Sequence, residues 1–411
     1  VAALWGTSTD GADPSSGETL LDRLTDAAQK RFSPEWQGPE ISHVELAADP
    51  EGAFWLAFQR VRRYWDRKSA PERDIFIWIG WEQISRDACG ACLGATAPKA
   101  FEHVVQIKKV MGPLCYRCPW NQARPQRDTD ARLYRSCGWE CLFQLDQAIM
   151  EAGKRLAGVI LAPLVQRQGG MVMFPPGYLR GVRERCESSH VPFIADETAS
   201  AFGRTGSFFA CEQEAVRPDL LIIGDSLGNG VLPIGAVLGS EPIMNDASAG
   251  ACAACPAGKT PDHGLSVAAC AALGMMDHLE DFWPKESTAE LGLALRKQAE
   301  RFWDIPFVGD IRCCGMIAAI ELVGNWKTRK QFAEKRDIGR KICARAHQAR
   351  LHVPHLGDVL VLAPPFGMSS AQLEEATDTL LEATMEVLMA DDQSISSKYP
   401  GDEAESHRKG S

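Results

Sequence analysis

The sequence predicts an α/β protein, with a large domain on a mostly parallel sheet and a smaller α+β domain after it. Three observations carry this. Val191 to Ala195 and Leu220 to Gly224 are short apolar runs that end in Asp196 and Asp225, as buried parallel strands end at a sheet's C-terminal edge. Helix and strand patterns alternate from Leu142 to Asp196. From Leu265 the pattern changes to paired helices followed by short strands.

The elements follow in order. Residues 1 to 17 are rich in Gly, Ser, Thr and Asp and read as irregular. Glu18 to Phe32 has helical spacing, and Ile41 to Leu46 reads as a strand. Pro50 opens a helix to Trp65, with Phe54, Phe58 and Val61 on one face. Ile75 to Ile79 is a buried strand, and Met111 to Trp139 is a long unpatterned connection. Leu142 to Leu156 reads as a helix, Gly158 to Leu161 as a strand and Pro176 to Ser188 as a helix. Helices at Leu265 to Leu279 and Ala289 to Phe302 precede strands at Phe307 to Ile311 and Met316 to Leu322. A helix from Thr328 to Ala349, a strand from Val359 to Leu362 and a helix from Ala371 to Met389 complete the pattern. The expected organisation is an N-terminal segment over 1–45, a large domain over 46–264, and a small domain over 265–390 with 265–281 as connector. A disordered tail over 391–411 follows.

Composition narrows the function classes. A formal charge of -10 argues against nucleic acid or an anionic membrane as main partner, because both require a dense basic surface. No apolar run is long enough to span a bilayer and no secretory signal pattern opens the chain, so a cytoplasmic location is expected. Fourteen cysteines then read as reduced thiols. Three Cys-x-x-Cys pairs occur: Cys89 with Cys92, Cys115 with Cys118, and Cys252 with Cys255. A zinc site from the first two pairs is a rival reading. The Ala- and Gly-rich surroundings of Cys89, Cys92, Cys252 and Cys255 favour helix packing, so no metal ligand is assigned.

The run PFIADETASAFGRTGSFFACEQEAVRPDLLIIG, with LPIGAVL after it, resembles the class III aminotransferases, which use pyridoxal 5'-phosphate on the type I fold. GVILAPLVQRQGGMVMFPPGYLRGVRERC upstream, and GMIAAIELV and HLGDVLVLAPPF downstream, extend the likeness over residues 45 to 390. Tyr64 with Trp65, and GATAP near 94–98, look most like the diaminopelargonate synthase branch of biotin synthesis. The resemblance implies a homodimer acting on a small amine or oxo acid. It also implies that Asp196 meets the pyridine nitrogen, where a carboxylate keeps the ring cationic, in place of an N-cap or an ion pair with Arg204. Thr198 would pack under the ring, Trp81 would stack on its other face, and Ser266, or Thr260, would reach the phosphate of the neighbouring subunit.

The departures from the family pattern cluster at the same place. Asp225 stands where the family has its Schiff-base lysine, and an acid cannot form an imine. The family's Ser-Gly-Ser/Thr phosphate cup is here Ala48, Asp49, Pro50, Glu51 and Gly52, with two acids and one residue lacking an N–H. Glu82 and Gln83 replace a His-Gly pair, Ala162 a glutamate, and Pro354 the arginine that takes the substrate carboxylate. Lys259 reads as an exposed loop lysine. The expectation is a family member whose transaminase centre is lost. The rivals are a working pyridoxal-phosphate or amine-cofactor enzyme, and a zinc-binding or interaction protein.

Overall fold

The computed structural model describes residues 16–80, 105–228, 230, 232–245, 263–282, 285–333 and 336–398. The chain divides into two compact units. The first comprises Val1–Gln122, Arg135–Glu290 and Cys314–Met316, and the second Ala123–Tyr134, Leu291–Cys313 and Ile317–Ser411.

The first unit is built on a seven-stranded sheet. Its strands are β1 (His43–Ala47), β2 (Ile75–Ile79), β3 (Gln106–Val110), β4 (Leu156–Leu161), β7 (Phe193–Asp196), β8 (Leu220–Ile223) and β9 (Gly235–Gly239). A two-stranded hairpin of β5 (Val165–Gln166) and β6 (Val172–Met173) lies outside it. The order is β1-β9-β8-β7-β4-β2-β3. From β8 to β3 the neighbours are parallel, while β9 and β1 add antiparallel pairings at one edge. Every residue of β4 and β8 is buried, so these strands need apolar side chains on both faces, which is why they read as continuous apolar runs.

Helix α2 (Pro50–Arg67) covers one face of this sheet. Phe54, Phe58 and Val61 recur at helical spacing and are buried; the Phe54 and Phe58 rings lie 4.9 Å apart, and Phe58 reaches Phe76 of β2 at 4.5 Å. The Trp65 indole donates to the Ala157 carbonyl at 2.7 Å, which fixes the far end of the helix on β4. Helices α3 (Glu140–Ala152) and α4 (Tyr178–Ser188) pack on each other. Near the N-terminal end of β8, Arg183 of α4 pairs with Asp219, whose carboxylate also takes the Phe193 N–H at 2.8 Å. Helix α1 (Ser16–Arg31) packs on α5 (His263–Phe282), with Arg23 and Asp277 paired at 2.8 Å.

Helix α6 (Lys285–Glu300) runs from the first unit into the second. The second unit holds a four-stranded sheet of β10 (Val308–Cys314), β11 (Ile317–Leu322), β12 (His355–Leu356) and β13 (Val359–Leu362), in the order β10-β11-β13-β12. Helices α7 (Ile338–Gln348) and α8 (Ser370–Lys398) pack together beside it.

Several expectations are revised. The helix expected from Thr328 begins only at Ile338. Before it, Asn325 and Lys330 exchange backbone hydrogen bonds, Thr328 N–H is held by the Asn325 side chain, and Arg329 and Asp337 have positive φ. Helix α8 continues to Lys398, past the expected tail boundary at 391, because no Gly or Pro interrupts it before Pro400. The helix read as Leu142 to Leu156 stops at Ala152, with Gly153 at positive φ turning the chain into β4. The long 111–139 connection is packed rather than loose: Tyr116, Asn121 and Ala131 are all buried.

Candidate functional site

The parallel strands deliver their C-terminal ends to one edge of the sheet, where α/β folds bind ligands. Asp196 is the last residue of β7. Its Oδ1 accepts the Thr198 hydroxyl at 2.5 Å and the Thr198 N–H at 3.2 Å, so the Asp-Glu-Thr sequence folds into a small turn around its own carboxylate. Burial pushes the Asp196 carboxyl above the usual range. The Thr198 hydrogen bonds oppose that shift, and the charge of Asp225 adds to it. The next residue, Glu197, is fully buried and holds the Ala210 and Cys211 N–H groups at 2.6 and 3.0 Å; burial nevertheless pushes it up to about 7.

Asp225 is exposed in the turn after β8. That turn is tied to β7's: Ser226 donates from both its N–H and its hydroxyl to the Thr198 carbonyl, at 3.3 and 3.1 Å. Gly224 just before it is wedged between neighbours, because a Cβ there would stand 2.7 Å from both Pro50 Cβ and Thr198 Cγ2. Gly235 of β9 is similarly close, at 2.7 Å, to the Asp49 carbonyl. The N-terminus of α2, the Thr198 turn and the Gly224-Asp225 turn therefore form one corner. Sequence reading named the residues of this corner but not the contact of Pro50 with Gly224, which no linear spacing reveals.

The α2 N-terminus is already occupied by its own acid. Asp49 is the N-cap, and its Oδ1 accepts the Gly52 N–H at 2.6 Å. Pro50 has no N–H to offer, and Glu51 adds a charge in the first turn. A helix terminus of this make-up suits its own capping carboxylate and opposes an external anion.

Gln166 is a residue the sequence reading did not single out. Its Nε2 donates to the Ile79 carbonyl at 2.7 Å, while its buried Oε1 has no hydrogen-bond partner and faces Gly112 and Gly80. It is a buried acceptor without a hydrogen-bond partner beside the C-terminal end of β2. Trp81, Glu82, Gln83, Thr260 and Lys259 lie outside the described residues, as do Cys89, Cys92, Cys252 and Cys255. Ser266 lies on the first turn of α5, and its side chain is outside them too. Pro354, in the second unit, accepts the Val361 N–H through its carbonyl at 3.0 Å. Among the described residues no group of three or more His, Cys, Asp or Glu side chains could hold a metal ion.

The class-III aminotransferase model matches residues 90–384, and the chain belongs to that family. It is 32% identical over 378 residues to the adenosylmethionine-8-amino-7-oxononanoate aminotransferase of Geobacter sulfurreducens, covering 88% of this chain and 79% of that protein. It is 35% identical over 306 residues to the enzyme of the same name from Nitratidesulfovibrio vulgaris, covering 72% of this chain and 52% of that one. Among solved structures, an amine transaminase from an uncultivated Pseudomonas species, in its PLP-bound internal aldimine form, superposes with a TM-score of 0.73. That match has 23% identity and covers 92% of this chain and 83% of that one. The fold is thus the type I fold of the pyridoxal-phosphate transferases.

The described residues fit pyridoxal phosphate at one end and not at the other. Asp196 is a half-buried carboxylate at a strand end, suited to a protonated ring nitrogen. Asp225, exposed in the turn after β8, offers no amine, and Asp49, Pro50 and Glu51 open α2 with two acids and one residue lacking an N–H. No reaction step is assigned to the cofactor on this chain.

Proposed function

We propose that this chain is a class III aminotransferase homologue of the diaminopelargonate-synthase type that has lost lysine-imine transamination and keeps the scaffold for binding a small amine or oxo-acid ligand. The observation that carries the proposal is Asp225 in the turn after β8, held beside Pro50 and Thr198 through the close packing of Gly224. An acid there offers no nucleophilic amine and no base of lysine's kind for moving a proton between carbons. The acidic α2 N-terminus supports the same reading, because a dianionic phosphate would meet Asp49 and Glu51 rather than a cup of free donors. Homodimeric assembly and a cytoplasmic location belong to the proposal. Among the described residues no helix is long and apolar enough to cross a membrane.

The test uses the purified full-length chain with added pyridoxal phosphate. The expected result is no imine absorbance that borohydride removes, no lysine carrying a reduced pyridoxyl group by peptide mass spectrometry, and no amino transfer. A trapped lysine together with turnover would sink the proposal.

A second reading is favoured by Asp196 and its Thr198 hydrogen bonds, which leave the pyridine end of the site formed. In it, the chain holds the amine form of the cofactor without an imine. Isothermal titration with pyridoxamine phosphate separates the two: saturable binding that Asp196→Asn abolishes favours the second.

A further inference from the structure

A cavity opens at the other edge of the large sheet, away from Asp196 and Asp225. Asp219 directly precedes β8, and Val191 and Pro192 precede β7, so they stand at the N-terminal ends of the parallel strands. Ser240 reaches the same edge because β9 runs antiparallel to β8. The last turn of α2 brings Tyr64 there, and the last turn of α4 brings Cys186 and Glu187. These residues line a cavity of about 300 Å³, at the lower end of the range for small-molecule sites, about 300–1,000 Å³.

The arginines around the cavity are already engaged. Arg183 is 5% exposed; it donates to Asp219 and, at 3.5 Å, to Glu187, and its Nε is buried and without a partner. Arg67 donates to the Pro242 and Ile243 carbonyls at 2.8 and 3.3 Å, and Arg73 to the Leu156 carbonyl at 2.7 Å. Acceptors remain. The hydrogen bonds that Asp219 takes from Arg183 and from the Phe193 N–H both fall on Oδ2, and Glu187 meets Arg183 through Oε1, which leaves Asp219 Oδ1 and Glu187 Oε2 for a ligand. Ser240 is 2% exposed and lines the cavity, and its hydroxyl makes no capping bond although it precedes the helical turn Glu241–Met244. Two carboxylates against one guanidinium leave a negative charge on the wall, and the carbonyl ends of α2 and α4 add to it.

We propose that this cavity binds a small primary ammonium ion on a short apolar body, its head toward Asp219 and Glu187 and its body against Val191, Pro192 and Ile243. An ammonium carries N–H donors and no acceptor, which suits a wall whose acceptors are open and whose arginines are paired. A carboxylate ligand would meet Asp219 and Glu187 and find Arg183 taken. Burial and the charge of Asp219 raise the Tyr64 hydroxyl, against Arg73 and Arg67, so it stays neutral beside the head. The site shares no residue with the strand-end corner, so it stands or falls apart from the aminotransferase reading.

The experiment is isothermal titration of the full-length chain with hexylamine at neutral pH, with hexan-1-ol and hexanoate as matched neutral and anionic probes. Hexylamine is expected to bind saturably at a single site, and the other two are expected not to bind. Glu187 is exposed near the end of α4, so its variants test the charge without emptying the core. Glu187→Gln is expected to weaken hexylamine by about tenfold, the scale of one lost hydrogen bond to a charged group. Glu187→Lys places a competing ammonium at the wall and is expected to abolish binding, with the thermal midpoint read alongside to show that each variant is folded. Should Glu187→Lys not fold, Glu187→Gln and the three-probe comparison decide. The proposal is overturned by no saturable binding of hexylamine, by equal binding of hexan-1-ol, or by binding unchanged in Glu187→Gln. It is equally overturned if Asp225→Asn abolishes binding, since the amine then sits at the strand-end corner.

Discussion

Two groups of carboxylates in this chain are treated in opposite ways. In the second unit Asp310, Glu321 and Asp130 are buried, and two arginines answer them. Arg312 sits 3.0 Å from Asp310 and 2.5 Å from Glu321, Arg132 grips Asp130 at 2.6 and 2.9 Å, and Asp310 takes the Ala131 N–H at 3.0 Å. In the first unit, at the C-terminal edge of the sheet, Asp49 and Asp196 are held by neutral donors, the Gly52 N–H and the Thr198 N–H and hydroxyl, and Asp225 is exposed. Acids that hold a fold together are matched by fixed cations. At the strand-end corner the acids are instead held by neutral donors or stand exposed.

The sharpest way to break this contrast is to remove the cation from the buried group. Arg312→Met leaves Asp310 and Glu321 buried without their guanidinium partner, and the expected loss is roughly 3–5 kcal/mol of stability, read as a lower urea midpoint. Adding Asp310→Leu and Glu321→Leu to Arg312→Met is expected to recover much of it. A loss below about 1 kcal/mol would show that the cluster behaves like surface charge, and the contrast would fail.

A buried acid without a cation leaves a different trace, in pH. Folded Glu197 keeps its proton up to about 7, against an ordinary value of 4.5. Between those values the native state binds more protons than the unfolded chain, so this group's contribution to stability is present below 4.5 and is lost as pH rises through 7. Where one proton separates the states the slope is about 1.4 kcal/mol per pH unit. Denaturant unfolding across this window should show the fall in the parent chain and a flatter profile in Glu197→Gln. Parallel profiles in the two proteins would contradict the assignment.

The strand ends were legible in the sequence because β7 and β8 are buried on both faces and must be apolar until the chain leaves the sheet, which points to Asp196 and Asp225 directly. Val359–Leu362 matched for the same reason, and Ile75–Ile79 because it is apolar throughout, with Phe76, Ile77 and Ile79 buried. β3, with the sequence QIKKV, and β9, with a glycine at each end, were missed; one is a part-exposed edge strand and the other is packed so tightly that glycine replaces side chains. The wedge of Gly224 between Pro50 and Thr198 is long-range geometry with no periodic trace.

A smaller effect tests whether Asp49 serves the helix. Asp49→Ala removes the acceptor for the Gly52 N–H and should cost about 1 kcal/mol, seen as a modest fall in thermal midpoint. A neutral or stabilising result would mean that repulsion among the corner's acids outweighs the cap.

The smallest expected effect is the most informative about the corner. Asp225→Lys restores the amine that the family chemistry uses, yet it leaves Asp49, Pro50 and Glu51 at the α2 N-terminus, with the Gly52 N–H already taken. A lysine alone gives no place for a phosphate dianion, so this variant is expected to show no transamination above the parent chain and no borohydride-sensitive absorbance. Combining it with Asp49→Ser, Pro50→Gly and Glu51→Ser removes two negative charges and returns a backbone donor, and cofactor absorbance is expected to appear only in the combination. Turnover in Asp225→Lys by itself would show that one residue, rather than the charge of the whole corner, decides whether the proposed loss of transamination holds.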